Sequence, residues 1–215
     1  MNKLVVIFVE GDTEVEFYKG LIKYYSNLNG GRLNCKVEYG NVKGVGNYQS
    51  KVVRIFKKRI IPKCHDCECH VFLCYDSDVF EFKRNLHVDW DSVGNSLMQA
   101  GAASVEHVIA RQSIEDWFLY DKAGLRKFLK LPGNFQMNGY SGQNGLKDLF
   151  RKANRIYIKG SACKGLVDAL DMSVIVKSIS SEIQELEHEL KLSAPPKTLC
   201  STDCTSSCCS QAQNE

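Results

Sequence analysis

Acidic side chains follow two apolar segments of this sequence. Glu10 ends the run LVVIFVE (residues 4–10), and Asp76 and Asp78 follow the run HVFLCY (residues 70–75). Apolar runs without alternation are typical of strands buried on both faces, and open α/β sheets bind ligands at the carboxyl ends of their strands. Because residues two apart in an extended chain point the same way, we expect Asp76 and Asp78 to face one point, with Glu10 beside them.

Three converging carboxylates predict a divalent metal site. They repel one another, and some would remain protonated unless a cation compensated them. Mg²⁺ or Mn²⁺ prefers oxygen ligands and keeps coordination positions for water and phosphate. Gly11 lacks a Cβ, so it would let the backbone pass close to a phosphate. The competing interpretation is structural: Glu10 belongs to a helix cap and turn, and the aspartates are ordinary loop residues.

Strand-like and helix-like segments alternate along the first part of the chain, which predicts an α/β fold with a mostly parallel sheet. Capping-box patterns of Thr13 with Glu16, and of Ser113 with Asp116, mark two helix starts. The predicted strands span residues 3–10, 33–39, 70–75 and 105–110, and the predicted helices span residues 13–27, 48–61 and 89–100.

The remaining chain divides by composition. Residues 1–130 form the predicted α/β core, and residues 131–193 form a helical extension of the same domain, with a Gly- and Asn-rich loop at 132–145. Residues 194–215 are rich in Ser, Thr, Cys and Gln, which predicts a disordered tail. Seven apolar residues at helical spacing line one side of the extension: Leu166, Leu170, Ile175, Ile179, Ile183, Leu186 and Leu190.

Three short motifs resemble those of a known family. VEGDTE (residues 9–14) and YDSD (residues 75–78) look like the TOPRIM domain, in particular the version in OLD-family nucleases, and IEDWFLYD (residues 114–121) is similar to a signature of small stand-alone TOPRIM proteins of the RloB-like kind. Those proteins are associated with bacterial defence loci. The resemblance covers roughly residues 1–190 and implies a Rossmann-like fold and Mg²⁺-dependent phosphodiester cleavage. The metal ligands that it implies are Glu10, Asp76 and Asp78.

The resemblance also implies a basic residue near the phosphate and an ATPase partner protein, because many OLD proteins carry an ATPase domain. Lys159 and Lys164 both fit the basic residue, and the sequence does not choose between them. From the sequence itself, Glu115 at a predicted helix start is either a further metal-binding or water-positioning carboxylate or a residue that complements the helix dipole.

Two other clusters have a functional and an ordinary interpretation. A basic helical stretch containing Lys51, Arg54, Lys57 and Lys58 would bind a nucleic-acid backbone, DNA or tRNA, or would simply be a solvated face. The segment CHDCECH offers Cys64, Cys67, Cys69 and His70 as zinc ligands, but without a well-spaced second pair we expect reduced surface thiols.

Composition excludes few functions. The chain has 215 residues and a net charge of +3, which neither requires nor excludes a nucleic-acid partner. No run approaches the roughly 20 apolar residues of a membrane span, and the start has no signal-peptide pattern, so we expect a cytoplasmic protein without a disulfide framework.

A metal-dependent nuclease is therefore the leading functional prediction. The alternatives are a non-cleaving TOPRIM module that binds an ATPase or nucleic acid, and a phosphate or nucleotidyl transferase that uses the same acids.

Overall fold

The computed structural model describes residues 2–64, 66–77, 88–159 and 163–191. Asp78 and the predicted tail lie outside the described residues. Four strands form one sheet, as the sequence pattern predicted: β1 (Asn2–Val9), β2 (Cys35–Asn41), β3 (Cys67–Asp76) and β4 (Ser104–Ala110). In the described parts, none of the helices is long and apolar enough to cross a membrane.

The sheet is parallel throughout and has the order β2-β1-β3-β4. The chain moves from β1 outward to β2 and then crosses back to β3 on the other side of β1, so the direction of strand order reverses between β1 and β3. In open parallel sheets this reversal leaves a crevice at the carboxyl ends of the two strands. The ends of β1 and β3 are where the acidic residues lie.

Helices cover both faces of the sheet. Helix α1 (Asp12–Leu28) follows β1, α2 (Tyr48–Ile55) precedes β3, and α3 (Trp90–Gln99) precedes β4. A wider π-helical turn (Phe56–Ile60) and a 3₁₀ turn (Ile61–Lys63) extend α2 past the predicted stop at Pro62. The later helices are α4 (Ile114–Tyr120), α5 (Lys122–Leu129), α6 (Gly142–Lys152), α7 (Cys163–Ala169), α8 (Met172–Ser178) and α9 (Gln184–Leu190).

Two apolar cores lie on the two faces of the sheet. Leu4, Val6 and Phe8 of β1 pack on one side with α2 and α3, while Val5 and Ile7 pack on the other with α1 and the later helices. Leu4 to Val9 are therefore all buried, which explains a strand without alternation. The seven apolar residues predicted to line one side of the C-terminal helices are all buried in the second core.

The predicted start of α1 is wrong. Gly11, not Thr13, is the N-cap residue, and no side chain caps this helix end. The helix begins almost directly after β1, at Asp12, so Thr13 lies inside the first turn and is buried. The early start also brings Glu14, one residue further along the same turn, into the protein interior.

Two buried or partly buried aspartates organise the later helices. Asp116 accepts hydrogen bonds from the backbone N–H of Ser113 (3.2 Å) and of Gly142 (2.6 Å), so it holds the starts of both α4 and α6. Helix α6 accordingly begins inside the predicted loop at 132–145. Asp121 ends α4 and accepts from the N–H groups of Gly124 (2.9 Å) and Asp171 (2.7 Å), which ties α5 to α8.

Candidate functional site

The two predicted strand-end acids meet at the reversal point of the sheet. Asp76 is the last residue of β3, and Glu10 comes directly after β1. The backbone N–H of Asp76 donates to Glu10 Oε1 at 3.0 Å, and the backbone N–H of Ile114 donates to Asp76 Oδ1 at 3.0 Å. Backbone donors therefore fix both carboxyl groups, and Asp76 is also tied to the start of α4.

The strand ends themselves are joined from α2. The Tyr48 hydroxyl is buried and lies within hydrogen-bond distance of the carbonyl oxygens of Phe8, at 3.2 Å, and of Cys74. This contact bridges β1 and β3 two residues before Glu10 and Asp76. It holds the two acidic ends at a constant separation.

Glu14 is a site residue that the sequence analysis missed. Its side chain is 4% exposed, both carboxylate oxygens are buried, and Oε2 has no hydrogen-bond donor among the described residues. The available signal was its position: Glu14 precedes Phe17, Tyr18, Leu21 and Tyr25 at helical spacing, so it lies on the buried face of α1. An acid on an apolar helix face requires a compensating partner.

Glu115 joins the same cluster from α4. Its side chain is 1% exposed, and Oε1 accepts a hydrogen bond from the Tyr157 hydroxyl at 3.2 Å. A carboxyl group that only complements a helix dipole would remain in solvent, where charge is least costly. The burial of Glu115 favours the functional interpretation of this residue.

Lys159 contacts the acids, whereas Lys164 does not. The Lys159 Nζ atom lies 3.2 Å from Glu14 Oε1, 3.9 Å from Glu115 Oε1 and 4.0 Å from Asp76 Oδ2. Lys164 is exposed on α7 and lines a separate surface cavity with Lys19 of α1.

The carboxyl groups of this cluster repel each other. Burial raises the pKa of Asp76 to about 8, with Glu14 adding to the rise and Lys159 opposing it. Burial likewise raises the pKa of Glu115, and the positive charge of Lys159 again opposes the rise. Burial lowers the pKa of Lys159, but the neighbouring acids outweigh it and hold that pKa above its ordinary value. The lysine therefore remains protonated, while the raised pKa values of Asp76 and Glu115 disfavour ionisation of these two acids.

Gly11 has a specific steric role in the cluster. A Cβ atom at this position would lie 2.9 Å from Glu14 Oε2, closer than ordinary van der Waals contact. The glycine thus leaves room for the Glu14 carboxylate, which is a different role from the predicted close approach of backbone to phosphate.

The four basic residues of α2 and its π-helical extension differ in their surroundings. Lys51 donates to the carbonyl oxygen of Val42 at 3.0 Å. Arg54, Lys57 and Lys58 are exposed. The exposed residues run from the site end of the sheet toward its opposite end.

The cysteine segment lies at the opposite end of the sheet from the acids. The sulfur atoms of Cys64, Cys67 and Cys69 are grouped within 4.8 Å of one another. His70 does not join them, because it lies on the other face of β3, where its Nδ1 is 3.0 Å from Ser104 Oγ.

Comparison with known proteins gives limited information. No protein-family model matches the sequence, and no curated protein is significantly similar to it. The fold is similar to two solved structures of the C-terminal region of the OLD protein from Xanthomonas campestris pv. campestris, with TM-scores of 0.41 and 0.40. Each is 14% identical, and the match covers 87% of this chain and 98% of the OLD region. Likeness at this level carries no argument about activity.

Replacing Asp76 with Asn tests the repulsion. The pKa of Asp76 is raised, so between about pH 4 and pH 8 the unfolded chain ionises this group while the folded protein does not, and stability falls as pH rises. Without metal, Asp76→Asn should stabilise the folded protein at pH 7.5 by roughly 1 kcal/mol or more. For a chain of this length, that free energy corresponds to a rise in melting temperature of about 2–4 °C. At pH 5 the gain should be smaller.

Thermal melts in chelator at both pH values measure this effect. Asp168→Asn, at an exposed position on α7, is the matched control and should show no pH-dependent gain. A variant Asp76→Asn that is less stable than the wild type at pH 7.5 would contradict the proposed repulsion.

Proposed function

We propose that this cluster binds Mg²⁺ or Mn²⁺ and that the protein cleaves a phosphodiester bond of a nucleic acid. The observation that carries the proposal is the meeting of Glu14, Asp76 and Glu115 around Lys159 at the strand-order reversal, where Glu10 accepts a hydrogen bond from the Asp76 N–H. Four carboxyl groups and one ammonium group share the cluster, so full ionisation would leave three negative charges uncompensated.

The chemistry of the donor set fits a hard divalent cation. All candidate ligands are carboxylate oxygens, which Mg²⁺ and Mn²⁺ prefer. Glu14 Oε2 is buried without a hydrogen-bond donor among the described residues, and a buried polar atom of this kind needs a partner. The bound ion would polarise a phosphate and stabilise the leaving oxygen. Asp78, outside the described residues, remains a proposed ligand on its sequence position alone.

The protein residues have separable roles in this proposal. Glu10 and Asp76 are held by backbone N–H groups and would present oxygens at the crevice. Glu14 and Glu115 would supply further oxygens from α1 and α4. Lys159 is partly exposed and stays protonated, so it can donate a hydrogen bond to a phosphate oxygen as negative charge develops there.

We further propose DNA or tRNA as the substrate and an antiphage defence role with an ATPase partner. The basic surface of Arg54, Lys57 and Lys58 supports a nucleic-acid partner, since clustered exposed cations attract the phosphate backbone without sequence preference. The defence role and the ATPase rest on the motif resemblance alone.

Glu10→Gln tests the catalytic assignment. Gln keeps the size and can still accept a hydrogen bond from the Asp76 N–H, so folding should survive. Loss of the negative charge should reduce cleavage by about 10² to 10⁴, the range of acid–base contributions. Glu16→Gln is the matched control, because Glu16 lies nearby in sequence on α1 but pairs with Lys19 at the surface.

The assay should use single-stranded DNA, duplex DNA and tRNA with Mg²⁺ or Mn²⁺, beside a thermal melt. Shortened strands identify a nuclease, extended or labelled strands a transferase, and unchanged strands a binding module. A normally folded Glu10→Gln variant within about threefold of wild-type activity would contradict the assignment, since a loss that small is far below the range expected for a catalytic residue.

Lys159→Ala and Lys164→Ala distinguish the two candidate lysines. Because only Lys159 contacts the acids, its replacement should reduce turnover by about 10² or more, as expected for a charge-stabilising donor. Lys164→Ala should retain activity near wild type. The opposite result would assign the basic role to Lys164 and leave Lys159 as a structural counterion.

Charge reversal tests the basic surface. Lys57→Glu combined with Lys58→Glu should weaken nucleic-acid binding evenly across sequences and flatten its salt dependence. Lys127→Glu combined with Lys152→Glu, at exposed positions on α5 and α6, should change binding less. Equal low-salt affinity in the first double variant and the wild type would show that this face is only solvated.

A further inference from the structure

Three thiols gather at the end of the sheet opposite the acids. Cys64 follows the α2 extension, and Cys67 and Cys69 lie two residues apart on β3, so they point to the same face of the strand. Cys64 and Cys67 are paired as a disulfide in this structure, with Cα atoms 5.7 Å apart, and Asp66 between them adopts a left-handed conformation with φ of 57°. The tight turn thus directs both thiols to one point.

The third thiol is placed as a metal ligand would be. Cys69 Sγ lies 3.7 Å from Cys64 Sγ. Two thiolates on one tetrahedral Zn²⁺, with Zn–S bonds of about 2.3 Å, lie roughly 3.8 Å apart. When the Cys64–Cys67 pair is reduced, all three sulfurs are close enough to bind one soft cation.

The surroundings allow a metal to enter and to be held. Cys64 and Cys67 line a cavity of about 350 Å³ beside Lys3, Lys36 and Lys63, so the thiols can be reached from solvent. Burial raises the pKa of the Cys69 thiol, so a bound cation would have to displace its proton. Cys69 is 2% exposed and packs into the core shared by α2 and β3, which fixes the inner side of the cluster.

We propose that Cys64, Cys67 and Cys69 bind Zn²⁺, with a solvent molecule in the fourth position. Among the His, Cys, Asp and Glu residues in the described ranges, these three are the set whose ligand atoms all lie within 4.8 Å of one another. The ion would join the end of the α2 extension to the start of β3 and stabilise that connection. This site is independent of the acidic cluster and of the activity proposed for it.

Metal analysis of the full chain tests the site. Protein purified under reducing conditions without chelator should contain about one Zn²⁺ per chain. Cys64→Ser and Cys69→Ser should each lose most of it. Two controls should retain it: Cys35→Ser, outside the group, and a variant with Ser at Cys200, Cys204, Cys208 and Cys209.

Cobalt substitution separates this site from the acidic cluster. Co²⁺ bound by thiolates gives a charge-transfer band in the near ultraviolet that carboxylate ligands do not give. The band should be present in the wild type and in Asp76→Asn and absent in Cys64→Ser, whose partly exposed position makes a folding defect unexpected.

Three results would overturn the proposal. The first is zinc-free protein whose intact mass shows a disulfide between Cys64 and Cys67 under reducing conditions. The second is unchanged zinc content in Cys64→Ser and Cys69→Ser. The third is loss of the zinc in the tail variant.

Discussion

The mutual repulsion of buried carboxyl groups at the ends of β1 and β3 is the constraint on which the rest of this structure depends. Asp76, Glu14 and Glu115 are nearly excluded from solvent, and burial of charge is costly unless it is compensated. The fold compensates them in part with backbone N–H groups, a tyrosine hydroxyl and Lys159. In the function we propose, a divalent cation would supply the charge that these contacts do not.

Several segments that are distant in sequence position the residues of this cluster. Tyr48 from α2 bridges the two strand ends, and Gly11 leaves space for Glu14. Asp116 links the start of α4, which carries Glu115, to the start of α6. The segment after α6 then brings Tyr157 and Lys159 to the acids. The segment between α6 and α7 therefore contributes directly to the cluster.

The sequence predicts the sheet and two of the acids because both depend on local pattern. An unbroken apolar run identifies β1, and an acid at its end identifies Glu10; the same reasoning applies to β3 and Asp76. Glu14 was missed because a helix start with acidic residues has an ordinary explanation, and the early start of α1 decides where its side chain points. The choice between Lys159 and Lys164 depends on contacts more than 40 residues apart in sequence, which no local pattern contains.

Calorimetric titration of Mn²⁺ tests the central claim most directly. Wild-type protein should bind Mn²⁺ saturably, and Asp76→Ala should bind it much more weakly, because removal of one fixed oxygen ligand leaves an incomplete site. The variant should remain folded, since deletion of one carboxyl group relieves repulsion. Equal Mn²⁺ affinity in wild type and Asp76→Ala, with both folded, would contradict a metal site at the ends of β1 and β3.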